Sequence, residues 1–270
     1  MKMKIIRFES VEGKISYGVY DAKSAGSARV IKGDIFGEFS ISRKKVEIKT
    51  ILAPVPAPNV FALGLNYGKH AEETGIDRPD IPIVFLKAVN TITGPESPII
   101  LPKAGPDEVD YEAELAVVIG ATAKNIRKED AFRHILGYTC ANDVSARDWQ
   151  MRKQKGQWTR GKSFDTFCPL GPWIVTKDEL PDPDRLHIKS VLNGSVMQDS
   201  NTSDMLFDVA SVVSDLSRSV TLLPGTVILT GTPPGVGFAR KPPVFLRPGD
   251  RVTVSIEGIG DLSNPVRAEL

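Results

Sequence analysis

Residues 109–120, VDYEAELAVVIG, constrain this chain more than any other stretch, because they set acidic residues into what otherwise reads as a buried strand. Leucine, valine and isoleucine fill the second half before a glycine, the composition of a strand entering a core. Side chains alternate faces along a strand, so Asp110, Glu112 and Glu114 are expected on one face, neighbours roughly 6 to 7 Å apart at the Cα. Like charges that close either raise a pKa or recruit a cation, and three oxygen-bearing side chains suit a hard divalent ion. A solvated strand face is the plain alternative, and spacing alone does not separate the two.

With 270 residues the chain is long enough to bury a sizeable core. Its 34 basic and 33 acidic residues balance, so no whole-molecule field points to nucleic acid, an anionic membrane or an acidic partner, and a small molecule is the expected partner. No apolar run is long enough to span a bilayer, and MKMKIIRFES lacks the apolar centre of a signal peptide. The expectation is a cytoplasmic protein. Cys140 and Cys168 have no CxxC spacing and read as small core residues, with no motif marking a nucleophile.

Residues 4–50 alternate short strands with glycine-bearing turns, a small β module, and the proline-punctuated LAPVPAPNV that follows marks a boundary. The expected division is residues 1–55 and 56–270. After a buried strand, VFALGL, Asn66 is a reasonable cap for a short helix, YGKHAEETG, ending at Gly75. His70 and Glu73, three residues apart, share a face of that helix, where a carboxylate orients an imidazole; the alternative is a surface ion pair. RKEDAFRHI reads as a short amphipathic helix. LGYTCAND reads as a strand ending at Asp143, which is either a further carboxylate for a cation or the N-cap of a helical SARDWQMRKQ. Residues 157–173 form a loop dense in glycine, proline and aromatics around Lys162, a lysine placed either to meet an anion or simply to face solvent. Farther on come a hairpin turned at Asn193 and Gly194, and an amphipathic helix burying Val209, Val212, Val213 and Leu216. VILTGTPPGVGF then runs a strand into a loop whose N–H groups suit a ligand carboxylate. That loop is neither a Walker loop nor GxGxxG.

Together, GLNYGKHAEETG, PIVFLKA, DYEAELAVVIG, GYTCANDVSARDWQ, GQWTRGKSFDTFCPLGP, LNGSVMQ, NTSDMLF and ILTGTPPGVG resemble, in order, the fumarylacetoacetate hydrolase superfamily, in its branch of acylpyruvate and related diketo-acid hydrolases, decarboxylases and isomerases. The resemblance implies a mixed, β-rich fold: a rolled β-sandwich catalytic domain with short helices behind a small N-terminal β module, working as a homodimer. It implies Glu112, Glu114 and Asp143 as ligands of Mg²⁺ or Mn²⁺, with Asp110 a neighbour. It also implies His70 and Glu73 as a catalytic dyad, Lys162 as the active-site lysine, and Gln150 and Thr232 as substrate-facing residues. Some members add an aspartate before the histidine; VFALGLN offers none, so three protein carboxylates are expected. The ending ARKPPVFLRPGD is similar to that of diketo-deoxy-sugar-acid hydrolases. The expected reaction is metal-dependent C–C hydrolysis of an acylpyruvate-type 2,4-diketo acid, with His70 activating water, Lys162 facing the oxyanion, and the Gly231 to Gly235 amides and the Thr232 hydroxyl holding the substrate carboxylate. Oxaloacetate decarboxylation and keto-acid isomerisation are the alternatives on the same site, and a non-catalytic keto-acid or metal-binding module is a further one.

Overall fold

The strand Ala113–Ile119 is buried along its whole length, and the period of two accounts for it: Ala113, Leu115, Val117 and Ile119 enter one core while Ala116 and Val118 enter another. In this computed structural model, which describes residues 2–21, 26–75 and 77–270, that strand pairs antiparallel with Ile135–Asn142 on one side and Val227–Leu229 on the other. Beyond Ile135–Asn142 the sheet continues through Cys168–Thr176 to Lys4–Ser10, Phe39–Leu52, Ser27–Gly33 and Ile15–Tyr20. Beyond Val227–Leu229 it continues through Val60–Gly64 to Ile83–Lys87, and with Ile92–Thr93 paired alongside Cys168–Thr176 it makes an 11-stranded sheet among the described residues. The N-terminal strands therefore extend the main sheet, joined to it where Lys4 pairs with Val175 and Ile5 with Ile174. Ala53, Val55 and Ala57 of the proline-punctuated segment pack inward against it.

A second sheet orders Ser195–Asn201, His187–Leu192, Arg251–Ile256, Gly260–Ala268 and Ile99–Leu101. Its Ile188, Val254, Ile256 and Leu262 meet Leu115, Val117, Tyr138 and Cys140 of the first sheet, and the helix Val209–Ser219 adds Val209, Val212, Val213 and Leu216 to the same core. The result is the expected β-rich sandwich with short helices. Asp208 caps that helix, accepting the Ser211 N–H at 2.8 Å. Asn193 and Gly194 both take positive φ, 50° and 84°, as a two-residue hairpin turn requires. Cys140 and Cys168 are free and buried, and burial pushes the Cys168 thiol up to about 12. No helix among the described residues is long and apolar enough to cross a membrane.

Several local expectations are corrected. Residues 109–120 are not one strand: Val109–Asp110 pairs with Ser145–Ala146 in a separate ladder, and Tyr111 and Glu112 interrupt before Ala113–Ile119 begins. Asn66 does not cap the helix Gly68–Thr74, whose N-cap is Tyr67 with no side-chain cap bond. Its amide instead donates to the Phe207 and Thr230 carbonyls at 3.1 and 2.8 Å and accepts the Phe207 N–H at 2.9 Å, a long-range use that outweighs the local one. The helix does end at a left-handed Gly75. RKEDAFRHI tightens to a 3₁₀ segment, Lys128–His134, and SARDWQMRKQ contains a π-helical segment, Asp148–Lys153.

Candidate active site

The antiparallel register opposes Ala113 to Asn142 and Glu114 to Ala141, which brings Glu112 opposite Asp143 just past the paired ends. The Asp143 N–H donates to the Glu112 carbonyl at 2.9 Å, and the Glu112 N–H donates to Asn142 Oδ1 at 3.0 Å. Glu112, Glu114 and Asp143 are all buried, and each offers a carboxylate oxygen within 4.8 Å of the others. Glu114 Oε2 accepts the Gly231 N–H at 2.6 Å, whereas its buried Oε1 has no hydrogen-bond partner. An unpartnered carboxylate oxygen among three hard donors fits a divalent cation of the magnesium class. Asp110 leaves this group: its Oδ2 accepts Arg147 Nε and Nη2 at 2.9 and 2.7 Å, and its carboxylate accepts the Gly237 and Phe238 N–H groups at 2.8 and 3.0 Å.

Three buried cations answer the carboxylates. Lys162 Nζ donates to Glu112 Oε2 at 2.8 Å and Asp143 Oδ2 at 2.7 Å. Lys87 Nζ donates to Asp143 Oδ1 at 2.6 Å, to the Val144 carbonyl at 3.2 Å and to the Lys162 carbonyl, using all three of its protons. Arg147 Nη1 lies 2.7 Å from Glu112 Oε1 and donates to Gln150 Oε1 at 2.9 Å. Two of these cations rest on aromatic faces, Lys162 over Phe85 at 5.1 Å and Arg147 over Phe238 at 4.4 Å. Burial alone would raise the Glu112 carboxyl, but Lys162 and Arg147 outweigh it and hold it down at about 2. For Glu114, burial and then the neighbouring Asp143 and Glu112 charges push the carboxyl well above the usual range. Burial opposes the charge on Lys162, yet Asp143 and Glu112 overcome it and raise its pKa, so the group stays an ammonium.

Sequence reasoning named Lys162 and passed over Lys87 and Arg147. For Lys87 there was a signal: it shares strand parity with Phe85, which is buried as Lys87 is. Arg147 carried no local mark.

His70 and Glu73 sit on the helix Gly68–Thr74, with His70 Nδ1 3.2 Å from Glu73 Oε2. The Gly235 N–H donates to both Glu73 oxygens, at 3.0 and 3.2 Å, so the glycine-rich loop braces the dyad. Gly235 has φ +103°, and a Cβ there would run into the Met197 carbonyl. Groups of the loop expected to hold a substrate carboxylate also make bonds within the protein. The Gly231 N–H serves Glu114, the Gly235 N–H serves Glu73, and the Thr232 hydroxyl donates to the Ala113 carbonyl at 3.0 Å while accepting Gln198 Nε2 at 2.7 Å. His70, Glu112, Gln150, Lys162 and Thr232 line one cavity of about 80 Å³, together with Arg147 and an apolar wall that includes Leu63, Leu65, Phe85 and Trp158.

The family described as fumarylacetoacetate (FAA) hydrolase C-terminal matches residues 59–267, and one described as Rv2993c-like, N-terminal, matches residues 3–54. A Xenopus laevis protein named oxaloacetate tautomerase fahd2, mitochondrial, is 52% identical over 218 residues, 80% of this chain and 68% of that one. The human protein named oxaloacetate tautomerase FAHD2A, mitochondrial, is 51% identical over 80% of this chain and 69% of its own length. Among solved structures, 2-hydroxyhepta-2,4-diene-1,7-dioate isomerase from Mycobacterium marinum is 41% identical, covers 99% of each chain and superposes with a TM-score of 0.85. The 5-carboxymethyl-2-hydroxymuconate delta-isomerase from Mycobacterium smegmatis gives 0.86 at 41% identity, over 99% of this chain and all of the other. On a family match that takes in every residue of the carboxylate cluster and the dyad, this chain belongs to the fumarylacetoacetate hydrolase family of enzymes.

Proposed function

We propose that this chain is a divalent-metal-dependent enzyme that moves a proton at the carbon beside the oxo group of a small 2-oxo acid, with keto–enol interconversion of oxaloacetate as its leading reaction. What carries this reading is that His70 lines the same cavity as Glu112 and Lys162, in a chain 52% identical to a protein named oxaloacetate tautomerase. Relatives named tautomerase and isomerase move the leading reaction away from hydrolysis. Glu112, Glu114 and Asp143 would hold Mg²⁺ or Mn²⁺, and such an ion supplies a Lewis acid for the 2-oxo group. His70, oriented at Nδ1 by Glu73, gives and takes the proton at C3 through its other ring nitrogen. Lys162, with Gln150, faces the oxygen on which negative charge develops, and a preorganised donor of this kind contributes about 3 kcal/mol. Thr232 lines the same cavity.

The test is decay of the enol absorbance of oxaloacetate, followed with Mg²⁺, Mn²⁺ or a chelator. Metal-dependent acceleration without CO₂ release supports tautomerisation; CO₂ release in step with the decay moves the reading to decarboxylation; no acceleration removes oxaloacetate as substrate. A second reading, hydrolysis of an acylpyruvate, is favoured by one observation, the apolar wall of Leu63, Leu65, Phe85 and Trp158, which suits an acyl group. Metal-dependent loss of acetylpyruvate with formation of pyruvate and acetate would support that reading.

A further inference from the structure

The lining of the cavity is of two chemical kinds. Glu112, Lys162 and Arg147 are all already engaged: Glu112 by Lys162 and Arg147, Lys162 by Glu112 and Asp143, and Arg147 by Asp110, Glu112 and Gln150. Much of the rest of the lining is apolar, and its largest side chain is Trp158. The structure holds this indole on two sides. A Cβ built on Gly64 would overlap ring atom Cζ3 and stand 2.7 Å from Cη2, so the ring lies flush on strand backbone that only glycine leaves bare. On another side the ring meets Phe85 edge-on, with centroids 5.5 Å apart and planes at 78°.

Trp158 is also tied to the polar end through the main chain. Its carbonyl accepts the Lys162 N–H at 3.2 Å, closing one turn between the two residues. Gly161 in that turn packs so tightly on Gln150 that a Cβ would stand 2.5 Å from the Gln150 amide nitrogen. Lys162 in turn stands over Phe85, the ring against which Trp158 packs. One turn of chain thus fixes both the Lys162 ammonium and the Trp158 wall of the cavity.

We infer that Trp158 is the specificity-determining residue that limits the length of the C3 substituent, so that the site takes short-chain 2-oxo acids and excludes longer ones. This rests on the reading above that the 2-oxo acid end lies at Glu112 and Lys162. Packing on Gly64 and Phe85 holds the indole in place, so a longer chain meets it. Removing the indole enlarges the cavity and leaves its charged groups in place.

The experiment uses the Mg²⁺-loaded full chain and follows exchange of C3 protons for deuterium by NMR across a straight-chain series, 2-oxobutyrate, 2-oxopentanoate and 2-oxooctanoate, so that only length varies. Wild type is expected to lose at least about tenfold in kcat/KM between the shortest and longest acids, and Trp158→Ala to raise the long-to-short ratio by about tenfold or more, the scale on which a hydrophobic pocket discriminates chain length. Trp158→Phe falls between them. An unchanged ratio in Trp158→Ala, in protein with a wild-type far-UV spectrum and cooperative melting, overturns the inference. If wild type exchanges none of these acids, the oxaloacetate assay above tests the proton-transfer reading by itself, and calorimetric binding of the same series then decides the length claim. Tighter binding of 2-oxooctanoate to Trp158→Ala than to wild type upholds it, and equal binding overturns it.

Discussion

At the scale of single residues, Glu114 and Asp143 carry the sharpest consequences. The Glu114 carboxyl is pushed up by burial and by Asp143 and Glu112, so in the metal-free protein it keeps its proton to higher pH than a free glutamate does. A cation must displace that proton, and Mg²⁺ affinity is therefore expected to rise with pH until the raised pKa is passed. Calorimetry in buffers of different ionisation enthalpy checks this by counting released protons, and no release would refute the assignment. Glu114→Gln should abolish Mg²⁺ binding, whereas His70→Ala should leave it intact and lower proton exchange on the order of 10² to 10⁴; retained exchange removes His70 from the reaction. Lys87→Met takes the proton donor from Asp143 Oδ1 and leaves the Val144 and Lys162 carbonyls unpaired. Breaking such a buried pair costs about 3 to 5 kcal/mol, readable in denaturant unfolding. Why Lys87 escaped sequence reading is physical: it lies 56 residues from Asp143, and nothing beside it in the chain shows that the buried parity of its strand leads to an acid. Glu112 and Glu114 stood out because acids inside an apolar run call for either solvent or a cation, and it was the family resemblance that pointed to the cation.

At the scale of elements, what the sequence revealed followed the reach of the forces involved. The hairpin at Asn193 and Gly194 and the helix Val209–Ser219 depend on neighbours a few residues away, and both formed as expected. For that helix the cap is a testable local term: Asp208→Ala removes the acceptor of the Ser211 N–H and should cost about 1 kcal/mol in denaturant unfolding. No loss would mean that tertiary packing alone fixes the helix start. Asp110 and Asn66 failed the same kind of reading because distant partners claimed them, Arg147 in one case and the Phe207 and Thr230 backbone in the other. The glycine-rich loop was placed correctly after its strand, but its amides serve Glu114 and Glu73. Its role in the site is support.

At the scale of the whole molecule, Ile83–Lys87 ends the large sheet, and Ile81, Ile83, Val84, Leu86 and Val89 along it are exposed. An uncovered apolar edge invites pairing with another chain. A second copy is the proposed cover, and light scattering should report twice the 29.4 kDa chain mass, with Leu86→Lys shifting the protein toward the monomer; a wild-type monomer would end the proposal. At the other end of the same sheet, where Ile15–Tyr20 pairs back onto Lys4–Ser10, the consequence is one of timing. Lys4–Ser10 finds Ile15–Tyr20 and Phe39–Leu52 nearby in the chain, yet Met3 bonds Thr176, 173 residues on. During synthesis the N-terminal meander can close early, while its seam with the catalytic sheet waits until the ribosome has delivered Cys168–Thr176. Joining the two is thus a late, non-local event in folding, made costly by the length of chain it must close.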